Sequence, residues 1–137
     1  MLNIRTLPVG DYQTNCYIVH KEGSSQCVVI DPGDESNRIL DYLEDNHLKC
    51  EAIFLTHGHY DHVMAVPQIV KATGAKVYIH KKDQWLLECD EVLRYGTRAE
   101  GYSVPHIDGF LEDGQTIALG SLTFKVLHTP GHTAGCC

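Results

Sequence analysis

The chain has 137 residues, of which 43% are hydrophobic and 21% are charged, and its formal net charge is −7. This length accommodates one hydrophobic core, so we expect a single domain over residues 1–137. The negative charge disfavours nucleic-acid and anionic-membrane partners, which need clustered Lys and Arg side chains. No apolar run approaches the roughly 18 residues of a membrane span. The start does not resemble a secretory signal and the six cysteines lack CxxC spacing, so we expect reduced thiols and a cytoplasmic location.

Three apolar segments predict strands in the first third of the chain: "LNIRTLPVG", "NCYIVH" and "QCVVIDPG". The last of them ends in an Asp-Pro-Gly turn signal. The next segment, "DESNRILDYLEDNH", has apolar residues at helical spacing and acidic or serine side chains available as N-caps. The continuous apolar run "CEAIFLT" then predicts a strand that is buried on both faces of a sheet.

The second half begins with "VMAVPQIVKATGA", which predicts a helix with Pro67 in its first turn and its end at Gly74. "KVYIH" predicts a strand and "KKDQWLLEC" a short helix. The polar segment from Asp90 to Pro105 has no clear period, so we expect a loop, either a plain connection or the border of a substrate cleft. Three short strands follow within "IDGFLEDGQTIALGSLTFKVLH". Strands and helices alternate early and strands cluster late, which predicts an α/β fold with mixed sheets and flanking helices.

The stretch "THGHYDH" concentrates four strong metal ligands, His57, His59, Asp61 and His62. A helix would point residues i and i+2 in different directions, so we expect the cluster in a loop after the buried strand. Gly58 gives that loop the backbone freedom to bring two imidazoles together. Imidazole nitrogen and carboxylate oxygen suit Zn²⁺, Fe or Mn²⁺. The alternative is a polar surface loop of solvated histidines.

A second motif, "HTPGHTAG", spans His128 to Gly135 and places His132 after a Pro-Gly turn. His132 alone would be a weak candidate. Joined to His57 and His59, it would complete a three-histidine site with an open fourth position. Such a catalytic zinc site lowers the pKa of bound water to about 7 and so generates hydroxide at neutral pH.

These motifs resemble those of the metallo-β-lactamase superfamily, and the likeness covers essentially the whole chain. "THGHYDH" matches the HxHxDH motif, "IDPG" matches an early strand-end aspartate, and "TPGHTAG" matches the third-histidine motif, all in the same order. Within the superfamily, "NCYIV" and "HTPGHTAG" are most similar to the small bacterial glyoxalase II-like hydrolases.

The resemblance implies that His57, His59 and His132 bind a first metal ion and that Asp61 and His62 bind a second. Asp61 would also be the catalytic residue that orients or deprotonates the water. Zn²⁺ is the expected ion, with Fe or Mn as alternatives.

Three further residues receive supporting roles by the same resemblance. Asp31 would be a buried strand-end residue that organises the site without binding the metal, or that has a structural role only. His128 would lie behind the metal ligands at most. Tyr60 would pack against the site, and a substrate contact is the alternative.

Superfamily members continue past the third-histidine motif to a bridging aspartate and a final histidine, which have no counterparts before Cys137. We therefore interpret the chain as the N-terminal portion of an αβ/βα sandwich that is truncated at its C-terminus. One metal site would be complete and the second incomplete. Either the chain is part of a longer hydrolase, or a short chain associates with another copy as a homo-oligomer that covers its exposed core.

The activity implied by the resemblance is metal-dependent hydrolysis of a small acyl or thioester substrate, such as a hydroxyacylglutathione, by metal-bound hydroxide. A non-catalytic metal-binding remnant is one alternative. An iron-dependent sulfur dioxygenase or a diiron redox protein is another. A nuclease is disfavoured because the net charge is −7.

Overall fold

The structure, a computed structural model, describes residues 1–96 and 102–137. Its strands and α-helices run in the order β1 Leu2–Val9, β2 Thr14–Lys21, β3 Gln26–Ile30, α1 Ser36–Asp45, β4 Lys49–Phe54, α2 Val66–Thr73, β5 Lys76–Ile79, α3 Asp90–Gly96, β6 Gly109–Phe110, β7 Thr116–Leu119 and β8 Leu122–Lys125. Two 3₁₀ segments, Tyr60–His62 and Lys81–Glu88, follow β4 and β5. Within the described ranges, none of the helices has the length and apolar character to cross a membrane.

Six of the strands form one mixed sheet in the order β1-β2-β3-β4-β5-β6. Neighbours are antiparallel from β1 to β3 and parallel from β3 to β6. Strands β7 and β8 form a separate antiparallel pair. The mixed sheet with flanking helices confirms the predicted α/β class.

The two faces of the large sheet pack against different elements. Successive side chains of a strand point to opposite faces, so neighbouring residues join different clusters. On one face, Ile18 belongs to a cluster that includes Ile39 of α1 and Ile69 of α2. On the other face, Val19 belongs to a cluster that includes Leu122 of β8. Burial of each such side chain stabilises the fold by about 1.5–3 kcal/mol.

The central strand β4 confirms the prediction of a strand buried on both faces. Ala52 and Ile53 are fully buried, and Phe54 is 7% exposed. Ile53 packs in the cluster beneath the helices, whereas Ala52 and Phe54 pack on the side of β8. The strand therefore provides a rigid support for the residues that follow its carboxyl end.

The predicted loop from Asp90 to Pro105 is wrong in its first part, where α3 spans Asp90–Gly96. Val92 is 1% exposed and joins the core, and this tertiary packing stabilises a helix whose sequence period is weak. Acidic side chains in the first turn also interact favourably with the helix dipole. Residues 97–101 of the predicted loop lie outside the described residues.

The helix ends agree only partly with their sequence signals. Pro67 lies in the first turn of α2, and Gly74 ends that helix in a left-handed conformation with φ 71°, as predicted. The predicted side-chain cap of α1 is wrong. Its N-cap residue, Glu35, makes no capping bond, and Glu35 Oε2 instead accepts a hydrogen bond from Gly10 N at 2.8 Å. The predicted short helix after β5 is a 3₁₀ segment.

Candidate metal centre

Three segments meet at the carboxyl ends of the parallel strands. Asp31 directly follows β3, and Thr56 and His57 follow β4. The segment after β8 returns to the same edge, where Cys137 N donates a hydrogen bond to Thr56 O at 2.8 Å. Ligand sites of open α/β sheets lie at this edge, so the fold brings the two histidine motifs together.

His57, His59 and His132 form a compact three-histidine group, as the motifs predict. Each offers one ring nitrogen, and these nitrogens all lie within 4.8 Å of one another. The ring centroids are 5.0 Å apart for His57–His59 and for His57–His132, and 4.7 Å apart for His59–His132. Three convergent imidazoles are the donor set of a catalytic zinc site.

The environment of His57 fits a metal ligand. Its side chain is 6% exposed, and Nε2 is a buried polar atom without a hydrogen-bond partner in the described part of the chain. Its other nitrogen, Nδ1, lies 3.0 Å from Thr56 Oγ1. A buried polar atom without a partner costs about 1–3 kcal/mol, and a metal ion at Nε2 would remove that cost.

Burial, followed by the neighbouring His62 ring, lowers the pKa of His57 to about 4. The imidazole is therefore neutral at pH 7, and the lone pair on Nε2 is free to bind a cation. This protonation state is the one that metal binding requires.

Asp31, His57 and His62 form a second group of potential ligands within 4.8 Å. In contrast to the first group, two of its members, Asp31 and His62, already bond to each other. His62 Nδ1 lies 2.9 Å from Asp31 Oδ2, and the same carboxylate accepts hydrogen bonds from Thr56 N and Thr56 Oγ1. Asp31 is 3% exposed. Its hydrogen bonds hold His62 and the start of the histidine loop in place.

The charges around His62 and the burial of its side chain shift its pKa in opposite directions. Burial by itself would lower the pKa of His62, but the hydrogen bond to Asp31 and the negative charges of Asp31 and Asp61 raise it above its usual value. His62 Nε2 lies 3.5 Å from Asp61 Oδ2. The structure thus places Asp61 and His62 side by side, but Asp61 belongs to neither three-residue group among the described residues.

Asp61 also borders a cavity of about 530 Å³. Its Oδ2 atom accepts a hydrogen bond from Thr14 Oγ1 at 3.1 Å. Tyr60 lines the same cavity and packs edge to face against Tyr12, with ring centroids 5.8 Å apart. The cavity thus reaches Asp61, but none of the three convergent histidines lines it.

His128 lies outside both groups. Its ring stacks on His80 at a centroid distance of 4.1 Å, and its Nε2 lies 2.9 Å from Ala134 O. The contact with Ala134 O supports the turn that carries His132.

The sequence interpretation missed Asp83, a fully buried aspartate in the 3₁₀ segment after β5. Its carboxylate accepts hydrogen bonds from the loop of His57 and from the loop of His132. A signal was present, because Asp83 shares three- and four-residue spacing with Leu86 and Leu87, which are also buried. An acidic residue on the buried face of a short helical segment indicates that its carboxylate accepts hydrogen bonds from other groups inside the protein.

The metallo-beta-lactamase superfamily model matches residues 9–137. The hydroxyacylglutathione hydrolase GloC of Haemophilus influenzae is 33% identical over 141 residues, which cover 98% of this chain and 64% of GloC. The B3 metallo-beta-lactamase BLEG-1 superposes with a TM-score of 0.82 at 32% identity, covering 99% of this chain and 65% of BLEG-1. TTHA1623 in its di-iron-bound form gives a TM-score of 0.75 at 36% identity, covering 96% and 64%.

The chain thus spans a little less than two thirds of the length of the relatives that it matches. The matched region contains both histidine motifs and the strand-end aspartate. The sequence match, the mixed sheet and the convergent histidines agree, and the chain belongs to the metallo-β-lactamase superfamily.

Proposed function

We propose that the protein is a metal-dependent hydrolase that acts on small acyl compounds, with thioesters such as hydroxyacylglutathiones as the first substrates to test. The observation that carries the proposal is the three-histidine group, whose His57 Nε2 is buried without a hydrogen-bond partner among the described residues. The thioester choice is supported by the likeness to GloC.

Zinc is the ion we propose for the site formed by His57, His59 and His132, with iron or manganese as alternatives. When bound, such an ion supplies Lewis-acid chemistry, because it acidifies water and polarises a carbonyl oxygen. The donor set of three imidazoles is typical of catalytic zinc. The lowered pKa of His57 keeps its nitrogen unprotonated at neutral pH.

Asp61 is the residue proposed to accept the proton of the attacking water. The Thr14 hydroxyl donates to Asp61 Oδ2 and so holds the carboxylate plane in place at the edge of the cavity. A carboxylate fixed in this way orients a water and accepts its proton. The cavity of about 530 Å³ lies within the usual range of about 300–1,000 Å³ for small-molecule sites, and Tyr12 and Tyr60 provide aromatic walls for the acyl part.

An iron-dependent redox function is the second candidate, and two observations favour it. TTHA1623, at 36% identity, has been solved in a di-iron-bound form. The second group, Asp31, His57 and His62, lies directly beside the first. Iron content and its visible absorbance would identify this function, whereas a zinc hydrolase is colourless.

The test is thioester hydrolysis by the purified, zinc-loaded chain, followed as the loss of thioester absorbance so that the six cysteines do not interfere. S-Lactoylglutathione and a neutral acyl thioester are the two substrates. We expect His57→Ala to abolish measurable hydrolysis. His106→Ala is the matched control, because the His106 side chain is 88% exposed.

A His57→Ala variant that hydrolyses either thioester at the rate of the unaltered chain would refute the hydrolase proposal. A zinc-loaded chain without activity on any acyl compound would favour the non-catalytic alternative. Iron that co-purifies and supports oxygen consumption would favour the redox candidate.

A further inference from the structure

We propose that Asp83 is a positioning residue of the three-histidine centre. Its carboxylate joins the loop that carries His57 and His59 to the loop that carries His132, and so determines how tightly the chain binds zinc. The inference rests on the metal site of the proposed function and not on its substrate, so it holds whichever reaction the protein catalyses.

The contacts of Asp83 link segments that are far apart in sequence. Oδ2 accepts hydrogen bonds from Gly58 N at 3.0 Å and from Thr133 Oγ1 at 2.6 Å. Oδ1 accepts a hydrogen bond from Gly135 N at 2.7 Å. Gly58 lies between His57 and His59, and Thr133 directly follows His132. One side chain therefore holds a residue adjacent to each of the three histidines.

The approach of both loops to Asp83 requires glycine. A Cβ atom at Gly58 would lie 2.9 Å from Asp83 O and 2.7 Å from Leu86 Cβ. A Cβ atom at Gly135 would lie 2.8 Å from Asp83 Oδ1. Contacts of this length are too short for ordinary packing, so the two glycines allow the loops to reach the carboxylate.

The chemistry of the three partners requires a carboxylate in particular. All three are donors, and an ionised aspartate offers only acceptors. Asp83 is fully buried, and its charge is stabilised there by hydrogen bonds that are stronger than neutral ones. An asparagine would keep one acceptor oxygen but would point its amide N–H₂ at a donor.

This arrangement affects metal binding, because a metal ion binds most tightly to ligands that are already in place. His57 and His59 share one loop, whereas His132 comes from a segment more than 70 residues later. Without the carboxylate, His132 would have to be ordered when the ion binds, and affinity would fall by the cost of that ordering. Loss of groups that orient metal ligands typically costs about 10–100-fold in affinity.

The experiment measures the zinc dissociation constant of the whole chain by competition with a chromophoric chelator. We expect Asp83→Asn to weaken zinc binding about 10–100-fold. We also expect it to change the visible spectrum of the Co²⁺-substituted protein, which reports ligand geometry. Thr133→Val should weaken binding in the same direction, and Thr133→Ser, which keeps the hydroxyl, should restore the affinity of the unaltered chain.

Asp108→Asn is the matched control. Asp108 Oδ2 also accepts a backbone hydrogen bond, from Val77 N at 2.9 Å, but it serves strand β5 and neither histidine loop. We expect this variant to keep the zinc affinity of the unaltered chain even if its melting temperature falls. All affinities are measured at a temperature at which circular dichroism shows each metal-free variant to be folded.

Three results would overturn the inference. The first is an Asp83→Asn variant with lower thermal stability but unchanged zinc affinity, which would make Asp83 merely structural. The second, decisive if Asp83→Asn does not fold, is equal zinc affinity for Thr133→Val and Thr133→Ser. The third is an unaltered chain that binds no zinc. The first two results leave the proposed function intact and the third refutes both, whereas a chain that binds zinc but hydrolyses no thioester refutes only the proposed function.

Discussion

The two groups of potential ligands share His57 but differ in how their polar atoms are satisfied. In the group of His57, His59 and His132, the ring nitrogens converge, and His57 Nε2 has no hydrogen-bond partner among the described residues. In the other group, Asp31 already bonds to His62 and Thr56. The difference indicates that the first group is arranged for an ion and that the second is stable as a hydrogen-bonded support.

The largest effect is expected from His132→Ala, which removes one of the three convergent imidazoles. Zinc affinity should fall by more than the roughly 10–100-fold that loss of an orienting group costs, because a ligand itself is lost. Chelator competition measures the change. His62→Ala is the control and should leave zinc affinity far less affected. Equal losses in the two variants would show that His62 belongs to the zinc site and would end the distinction between the groups.

A smaller effect, on stability instead of affinity, is expected from Asp31→Asn. Asp31 is 3% exposed, and its oxygens accept bonds from Thr56 and face His62 Nδ1. The amide would leave one of these donors without an acceptor, at a cost of about 1–3 kcal/mol. Urea unfolding of the metal-free protein measures this loss.

Asp34→Asn serves as the control for Asp31→Asn, since Asp34 is exposed and Asp34 Oδ1 accepts a bond only from the adjacent Glu35 N among the bonds described. A stability loss for Asp31→Asn no larger than for Asp34→Asn would contradict the view that the second group supports the fold.

The predictability of the two regions from sequence differs for a physical reason. The ligands of "THGHYDH" are close together in sequence, so this stretch predicts a metal site by itself, and the apolar run of β4 predicts the strand that supports it. His132 in "HTPGHTAG" is a weak candidate alone and gains its role only when it is joined to His57 and His59. Asp83 bonds to residues 25, 50 and 52 positions away. Its own segment encodes none of those partners, and only the fold shows them.

The helix α3 was missed for a related reason. Its sequence from Asp90 to Gly96 is short and mostly polar, and among its described side chains Val92 packs into the core. Helices of this length are marginal without tertiary packing. A local pattern therefore predicts a loop where the folded chain has a helix.

A third contrast is a pH dependence with opposite signs at the two groups. The pKa of His57 is lowered from 6.5 to about 4, so between these values the unfolded chain takes up a proton that the folded chain does not. The stability of the metal-free protein should therefore be complete above pH 6.5 and fall towards pH 4. The pKa of His62 is raised, so its contribution is complete below pH 6.5 and is lost as pH rises through the folded value.

Urea unfolding across pH, on the metal-free protein, separates the two contributions. His57→Gln should flatten the loss of stability between pH 6.5 and 4, because no imidazole at that position then titrates. His62→Gln should flatten the loss above pH 6.5, and it should also reduce the loss on the acid side without removing it, because the His62 ring contributes to the lowered pKa of His57. If both variants removed the loss of stability on the same side of the profile, the two histidines would titrate in the same direction and the prediction would be wrong. In that case the pH profiles would not distinguish His57, the proposed metal ligand, from His62, which bonds to Asp31.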